Sequence, residues 1–212
     1  MKTMLKVLML GIHEDHSSPK VVNIEPISSS VTLVQTEGKN ILIDTGFYQK
    51  KDELLGALAR VALTCDDIHY IINTHQHFDH CTNNYLFPKA EIVAFPTFWN
   101  YESGRVNYYP NYKLPFKDIE LLYTPGHDFM HWSVMVRFEG KIWCLAGDGI
   151  LQKGIISGKY PGFYNRKMYL ESALSMLKKA DFIVPGHGEI IGGQVKDDLE
   201  KRVKELLAEF KE

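Results

Sequence analysis

The sequence predicts an α/β fold with layered packing. Three observations carry that prediction. Short apolar segments recur along most of the chain, closed by turns that contain Gly or Asp; stretches of helical periodicity stand between and after them; and polar residues with metal-ligand chemistry follow the ends of several apolar segments. With 212 residues, 45% of them apolar and 24% charged, the chain reads as a single domain over 1–212.

The elements follow in order. The N-terminal stretch reads as a first strand, because Lys6 interrupts its apolar residues and no small-residue cleavage site follows, as a leader peptide would require. Residues 14–30 are polar and turn-rich and read as a surface loop. Residues 31–36 alternate, Glu37-Gly38-Lys39 turns, and Ile41, Leu42 and Ile43 complete a hairpin. Residues 51–62 place Leu54, Leu55, Leu58 and Val61 on one helical face. Short strands are expected at Ile71-Ile72, 90–95 and 119–123, and a second hairpin at 132–138 and 141–145 across Glu139-Gly140. A helix over 166–179 and a buried strand at 182–184 come next. Over 194–211, Val195, Leu199, Val203, Leu206, Leu207 and Phe210 recur at helical spacing, and that stripe reads as core contact.

Composition narrows the function. Lys plus Arg number 24 against 26 Asp plus Glu, a formal charge of −2, which argues against a broad nucleic-acid or anionic-membrane surface. No run approaches the roughly 18 apolar residues of a membrane span. Cys65, Cys81 and Cys144 are odd in number and lack CxxC spacing, so they read as reduced thiols of a cytoplasmic protein. Nine histidines are the anomaly.

Their placement is informative. Residues 73–80 supply His75, His77, Asp79 and His80, an arrangement that composition alone produces about once in a thousand such sequences. In an extended segment residues two apart face the same way, so His75 and His77 can share one metal, while Asp79 and His80 reach a second point nearby. Imidazole and carboxylate are ligands for zinc, iron or manganese. Three further apolar segments each lead through a Gly-containing turn into a polar residue: His127, Asp148 and His187. Ends of strands are where ligand sites collect in α/β sheets.

These residues resemble the metallo-β-lactamase superfamily. The resemblance rests on the His-x-His-x-Asp-His run at 75–80, Thr-Pro-Gly-His at 124–127, Gly-Asp at 147–148, Pro-Gly-His at 185–187 and Asp44-Thr45-Gly46, and spans roughly residues 30–190. It implies a four-layer αββα sandwich with a metal site on one edge. It further implies that His75, His77 and His127 hold one of two divalent metal ions, zinc first with iron or manganese as alternatives, that Asp79, His80 and His187 hold the other, and that Asp148 bridges them. The implied chemistry is a hydroxide shared by the two cations attacking an ester, thioester, lactone, amide or phosphoester. Asp79 would orient the hydroxide or relay its proton, and Asp44 would fix a ligand histidine through a hydrogen bond. The surplus of positive charge at such a site suits a small, anionic substrate.

Within that superfamily, the 25 residues after His187 leave little room for a glutathione-binding helical domain, and no inserted domain or basic Gly-rich arm suggests RNA processing. His77 and Asp148 depart from the flavodiiron and β-lactamase patterns. A small hydrolase is the expectation; an iron-dependent sulfur dioxygenase-like redox enzyme and a non-catalytic metal-binding module are the alternatives. His13, His16, His69 and His131 read as ordinary surface or core histidines, with His13 the one best placed to approach the site. Cys81 reads as packed rather than ligating. Tyr160, Phe163, Tyr164 and Arg166, within 153–167, either cover the sheet or meet the substrate.

Overall fold

The structure, a computed structural model, describes residues 2–16, 23–109, 113–158 and 165–210. One sheet has seven strands: β1 (Met4–Met9), β4 (Val31–Thr36), β5 (Lys39–Ile43), β6 (Tyr70–Ile72), β7 (Glu91–Ala94), β8 (Thr97–Asn100) and β9 (Arg105–Tyr108), hydrogen-bonded in that order. The other has five, also in chain order: β10 (Ile119–Tyr123), β11 (Trp132–Phe138), β12 (Lys141–Gly147), β13 (Phe182–Pro185) and β14 (Ile191–Gly192). The helices are α1 (Lys51–Ala59), α2 (Phe78–Cys81), α3 (Gln152–Ser157), α4 (Arg166–Lys179) and α5 (Gly193–Ala208).

Period-two alternation sorts the strand residues into separate cores, and the cores define the layers. Ile41, Ile43, Ile72 and Val93 meet Val134, Val136, Leu145 and Val184 between the sheets. Their neighbours Leu42, Ile71 and Ile92 point the other way and bury Leu54, Ala57 and Leu58 of α1. Met135, Cys144, Ala146 and Ile183 face outward from the second sheet, where Tyr169, Ala173 and Leu177 of α4 and Leu199, Val203 and Leu206 of α5 cover them. The result is helix, sheet, sheet, helix: the expected αββα sandwich. Leu42 is fully buried in the outer core. Leu42→Ala is therefore expected to cost about 2–5 kcal/mol, read from urea unfolding, because the void under α1 cannot fully collapse.

Both hairpins fall where the alternation puts them. Thr36 pairs with Lys39, and Phe138 with Lys141, so each loop has two residues, Glu37-Gly38 and Glu139-Gly140. All four have positive φ, the twist a two-residue hairpin demands. β5, β6 and β7 pair in parallel, as do β12 and β13. Their carboxyl ends lie on one edge of the sandwich, and the loops leaving β5, β6, β12 and β13 carry Asp44, residues 73–80, Asp148 and His187.

One expectation is corrected. Residues 14–30 are not simply a surface loop: β2 (Ile12–Asp15) and β3 (Ile24–Ser28) form a separate antiparallel pair. The serines that follow are buried, and Ser29 N and Ser30 N donate to the carbonyls of Asp79 and Gly186. Polar composition disguised a segment whose backbone is pinned to α2 and to the turn after β13. The β8–β9 hairpin and α3 also lie outside what the periodicity showed. Tyr160, Phe163 and Tyr164 lie outside the described residues, whereas Arg166 turns to the tail helix, pairing with Glu209 at 3.4 Å and lying 5.5 Å from the Phe210 ring centroid. Among the described residues, no helix is long and apolar enough to cross a membrane.

Candidate metal centre

All seven residues singled out as ligands converge. Ligand atoms of His75, His77 and His127 lie within 4.8 Å of one another, and so do those of Asp79, His80 and His187. His77 Nδ1 and His127 Nε2 are 3.1 Å apart. Asp79 Oδ2 is 3.5 Å from His80 Nε2 and 3.3 Å from His187 Nε2. Asp148 stands between the groups and gives each one an oxygen. Its Oδ2 is 3.3 Å from His127 Nε2, and its Oδ1 is 3.2 Å from His80 Nε2 and 3.3 Å from His187 Nε2.

Residues 73–77 reach these positions outside any strand, though His77 keeps an extended backbone, and α2 then swings Asp79 and His80 to the second group. A methyl at Gly186 would overlap Asp148 Oδ1, so this turn has to be glycine for the β13 end to pass so close to the carboxylate.

The nitrogens facing away from the cluster fix the rings. Thr74 Oγ1 donates to Asp44 Oδ2 at 2.8 Å, which leaves it to accept from His75 Nδ1 at 3.2 Å. His80 Nδ1 donates to Asp44 Oδ2 at 2.8 Å. His187 Nδ1 lies 3.0 Å from the Ile12 carbonyl and 3.1 Å from that of Ser28, which bracket β2 and β3. In each ring Nε2 is thereby aimed inward. Asp44, 2% exposed and at φ +56°, also accepts from Thr74 N at 2.8 Å. Thr74 is a participant that the motif reading missed; the signal was a hydroxyl immediately before the first histidine.

The donor set fits divalent cations. Nε2 of His75, His80 and His187 and Oδ1 of Asp148 are buried and have no hydrogen-bond partner among the described residues, a costly state for polar atoms. Ligands about 2.0–2.1 Å from one tetrahedral zinc lie about 3.3–3.4 Å apart. The observed spacings of 3.1–3.5 Å match such edges, and the approaches of His80 Nε2 and His187 Nε2 to Asp148 Oδ1 are misaligned for hydrogen bonds.

Electrostatics agree. Burial holds His75 well below the usual imidazole range and lowers His127. Burial opposes charge on His80 and His187 too, yet Asp148, joined at His80 by Asp44, raises His80 well above that range and His187 to about 9. Burial would raise Asp148, but His187 and His80 keep it ionised far into acid. The carboxylates therefore favour the protonated forms of His80 and His187, and a cation bound there must displace those protons. Zinc uptake near neutral pH is expected to release protons, measured by calorimetric titration in buffers of different ionisation enthalpy. Uptake without proton release would contradict ligation through these two rings.

The remaining histidines separate clearly. His131 is fully buried, hydrogen-bonded through Nδ1 to Thr124 Oγ1 at 2.9 Å, with its ring 5.0 Å from that of His75. His69 Nδ1 accepts from Asn40 N, and His16 lies at the exposed surface. His13 packs edge-on against His187 with ring centroids 5.3 Å apart. Cys81 Sγ donates to the His77 carbonyl at 3.2 Å and stands outside the ligand groups.

Comparison with known proteins agrees with the geometry. The sequence model of the metallo-β-lactamase superfamily matches residues 24–102. A Methanocaldococcus jannaschii protein named "probable metallo-hydrolase" is 32% identical over 153 residues, covering 71% of this chain and 72% of its own. The N-acyl homoserine lactonase of Bacillus thuringiensis is 29% identical over 143 residues, covering 50% of this chain and 57% of its own. A Thermotoga maritima crystal structure assigned to the metallo-β-lactamases shares the fold with a TM-score of 0.69 at 23% identity, over 91% of this chain and 100% of that one. Fold, ligand constellation and sequence relatives converge on one conclusion: the chain belongs to the metallo-β-lactamase superfamily.

Proposed function

We propose that the chain is a single-domain dinuclear metal-dependent hydrolase, with zinc as the first candidate for both ions and a small acyl or phosphoryl compound as substrate. The class of activity is supported by the hydrolases among its relatives, one named as a metallo-hydrolase and another as a lactonase. The observation that carries the dinuclear reading is Asp148, whose two oxygens each sit about 3.3 Å from a different group of imidazoles.

In this reading His75, His77 and His127 would hold the first cation and Asp79, His80 and His187 the second, with Asp148 offering an oxygen to each. Bound there, the two cations supply Lewis acidity and bring the pKa of a shared water toward neutrality. The chain's own groups do the rest. Asp44, Thr74 and the carbonyls of Ile12 and Ser28 fix the rings, so that little reorganisation is needed as charge develops. Asp79 turns Oδ2 to His80 and His187, and Oδ1 is the atom we assign to orienting the water and taking its proton.

The test is a panel of p-nitrophenyl acetate, a thioester, N-hexanoyl homoserine lactone and bis(p-nitrophenyl) phosphate, run on protein loaded with zinc, manganese or iron. Turnover of at least one substrate that chelation removes and metal restores is the expected result. Tight binding of two metals with no turnover across the panel would leave a metal-binding module instead.

A further inference from the structure

One titratable ring at the rim of the centre is absorbed neither by the ligand set nor by the hydrogen bonds that orient it. His13 lies on β2, paired with Ile27 of β3. The preceding residue, Ile12, offers its carbonyl to His187 Nδ1 at 3.0 Å, which fixes β2 against the back of that ring. The next side chain along the strand is then carried round to the ring itself, and His13 meets His187 edge-on at 5.3 Å between centroids. His187 is buried, whereas His13 is only half-buried, so the ring packed on His187 is partly open to solvent.

We propose that His13 is a substrate-anchoring residue, donating a hydrogen bond to an oxygen of an anionic acyl or phosphoryl group seated at the Asp79–His80–His187 side of the centre. The inference rests on the dinuclear reading of the site. An imidazole carries at least one N–H in either protonation state, so the role does not depend on titration. Neighbouring cations saturate only some of the oxygens of a carboxylate or phosphate, and a donor at the rim satisfies another. An ordinary packing role predicts that any flat ring at 13 serves equally well; an anchoring role predicts that the donor matters and the ring does not.

The experiment uses zinc-loaded protein with inorganic phosphate as the probe, followed by calorimetry, alongside whichever panel substrate is turned over. His13→Phe keeps the ring contact and removes the donor; His13→Gln keeps a donor and removes the ring; His13→Leu stands in should the Phe variant misfold. Metal content and melting temperature are measured on each. Phosphate is expected to bind the wild type and His13→Gln within about 3-fold of each other. It should bind His13→Phe about 10–100-fold more weakly, the loss typical of a hydrogen bond to a charged group, at unchanged metal content. KM should rise in parallel, with kcat less affected. Equal phosphate affinity in the wild type and His13→Phe, equal weakening in the Phe and Gln variants, or no phosphate binding by the loaded wild type would each overturn the proposal. The two readings fail separately. His13-dependent phosphate binding without turnover refutes the hydrolase, and wild-type turnover and phosphate affinity in His13→Phe refute the anchor alone.

Discussion

Asp148→Ala is expected to lower metal content from about two ions per chain to one or fewer and to reduce turnover by at least about 10³-fold. Asp148 faces both groups, with Oδ2 toward His127 and Oδ1 toward His80 and His187. In the dinuclear reading, removing it would take a ligand from each cation and a negative charge from a buried site meant to hold four positive ones. Metal-derived stabilisation of transition-state charge is worth several kcal/mol, and each 1.36 kcal/mol is a factor of ten. The variant should also lower the pKa of His80 and His187, because Asp148 is what raises both against burial. Proton release on zinc uptake should therefore shrink along with stoichiometry. Elemental analysis after dialysis, together with rates on the reference substrate, checks the expectation. Wild-type metal content and full activity would remove Asp148 from the bridging position.

That these seven residues gather in one place was legible in the sequence, because their chemistry and their strand-end spacing are both local. His75 to His80 sit within six positions, and His127, Asp148 and His187 each follow an apolar run and a glycine. The layers were legible for a similar reason: Ile41, Leu42 and Ile43 alternate between two cores, as the period of a strand requires. What could not be read was set by contacts distant in sequence. That His77 presents Nδ1 while its partners present Nε2, and that the oxygens of Asp148 divide between two groups, depends on where loops far apart in sequence come to rest. The β2–β3 pair escaped notice because its strands are short and interrupted by polar residues, and the chain leaving β3 is held by Ser29 N and Ser30 N donating to the carbonyls of Asp79 and Gly186. His13 and His131 are alike in lacking motif spacing; tertiary packing put one at the rim and the other in the core.

Asp44 shows how far the centre depends on residues that bind no metal in this reading, and two substitutions there should separate folding from function. Its carboxylate accepts three hydrogen bonds at 2.8 Å each, from Thr74 N, Thr74 Oγ1 and His80 Nδ1. Asp44→Ala leaves those donors buried without a partner and places a β-carbon residue that cannot make local side-chain hydrogen bonds at φ +56°. Removing one partner of a buried charged pair costs about 3–5 kcal/mol, so this variant should be strongly destabilised in urea or heat. Asp44→Asn behaves differently. Asn tolerates the left-handed backbone, its Oδ1 can still accept from Thr74 N, and the Thr74 hydroxyl can turn to accept from the new amide. The conflict that remains is at His80, where an N–H now faces the Nδ1 proton. The ring must tilt or change tautomer, and changing tautomer puts a proton on the Nε2 that a cation needs. Second-group metal affinity should therefore fall about 10–100-fold while the fold persists. Metal titration of the folded Asn variant should show one tight equivalent and one weakened, with turnover recovered at high metal concentration. Two equivalents bound with wild-type affinity would show that Asp44 holds the turn and does not tune the centre.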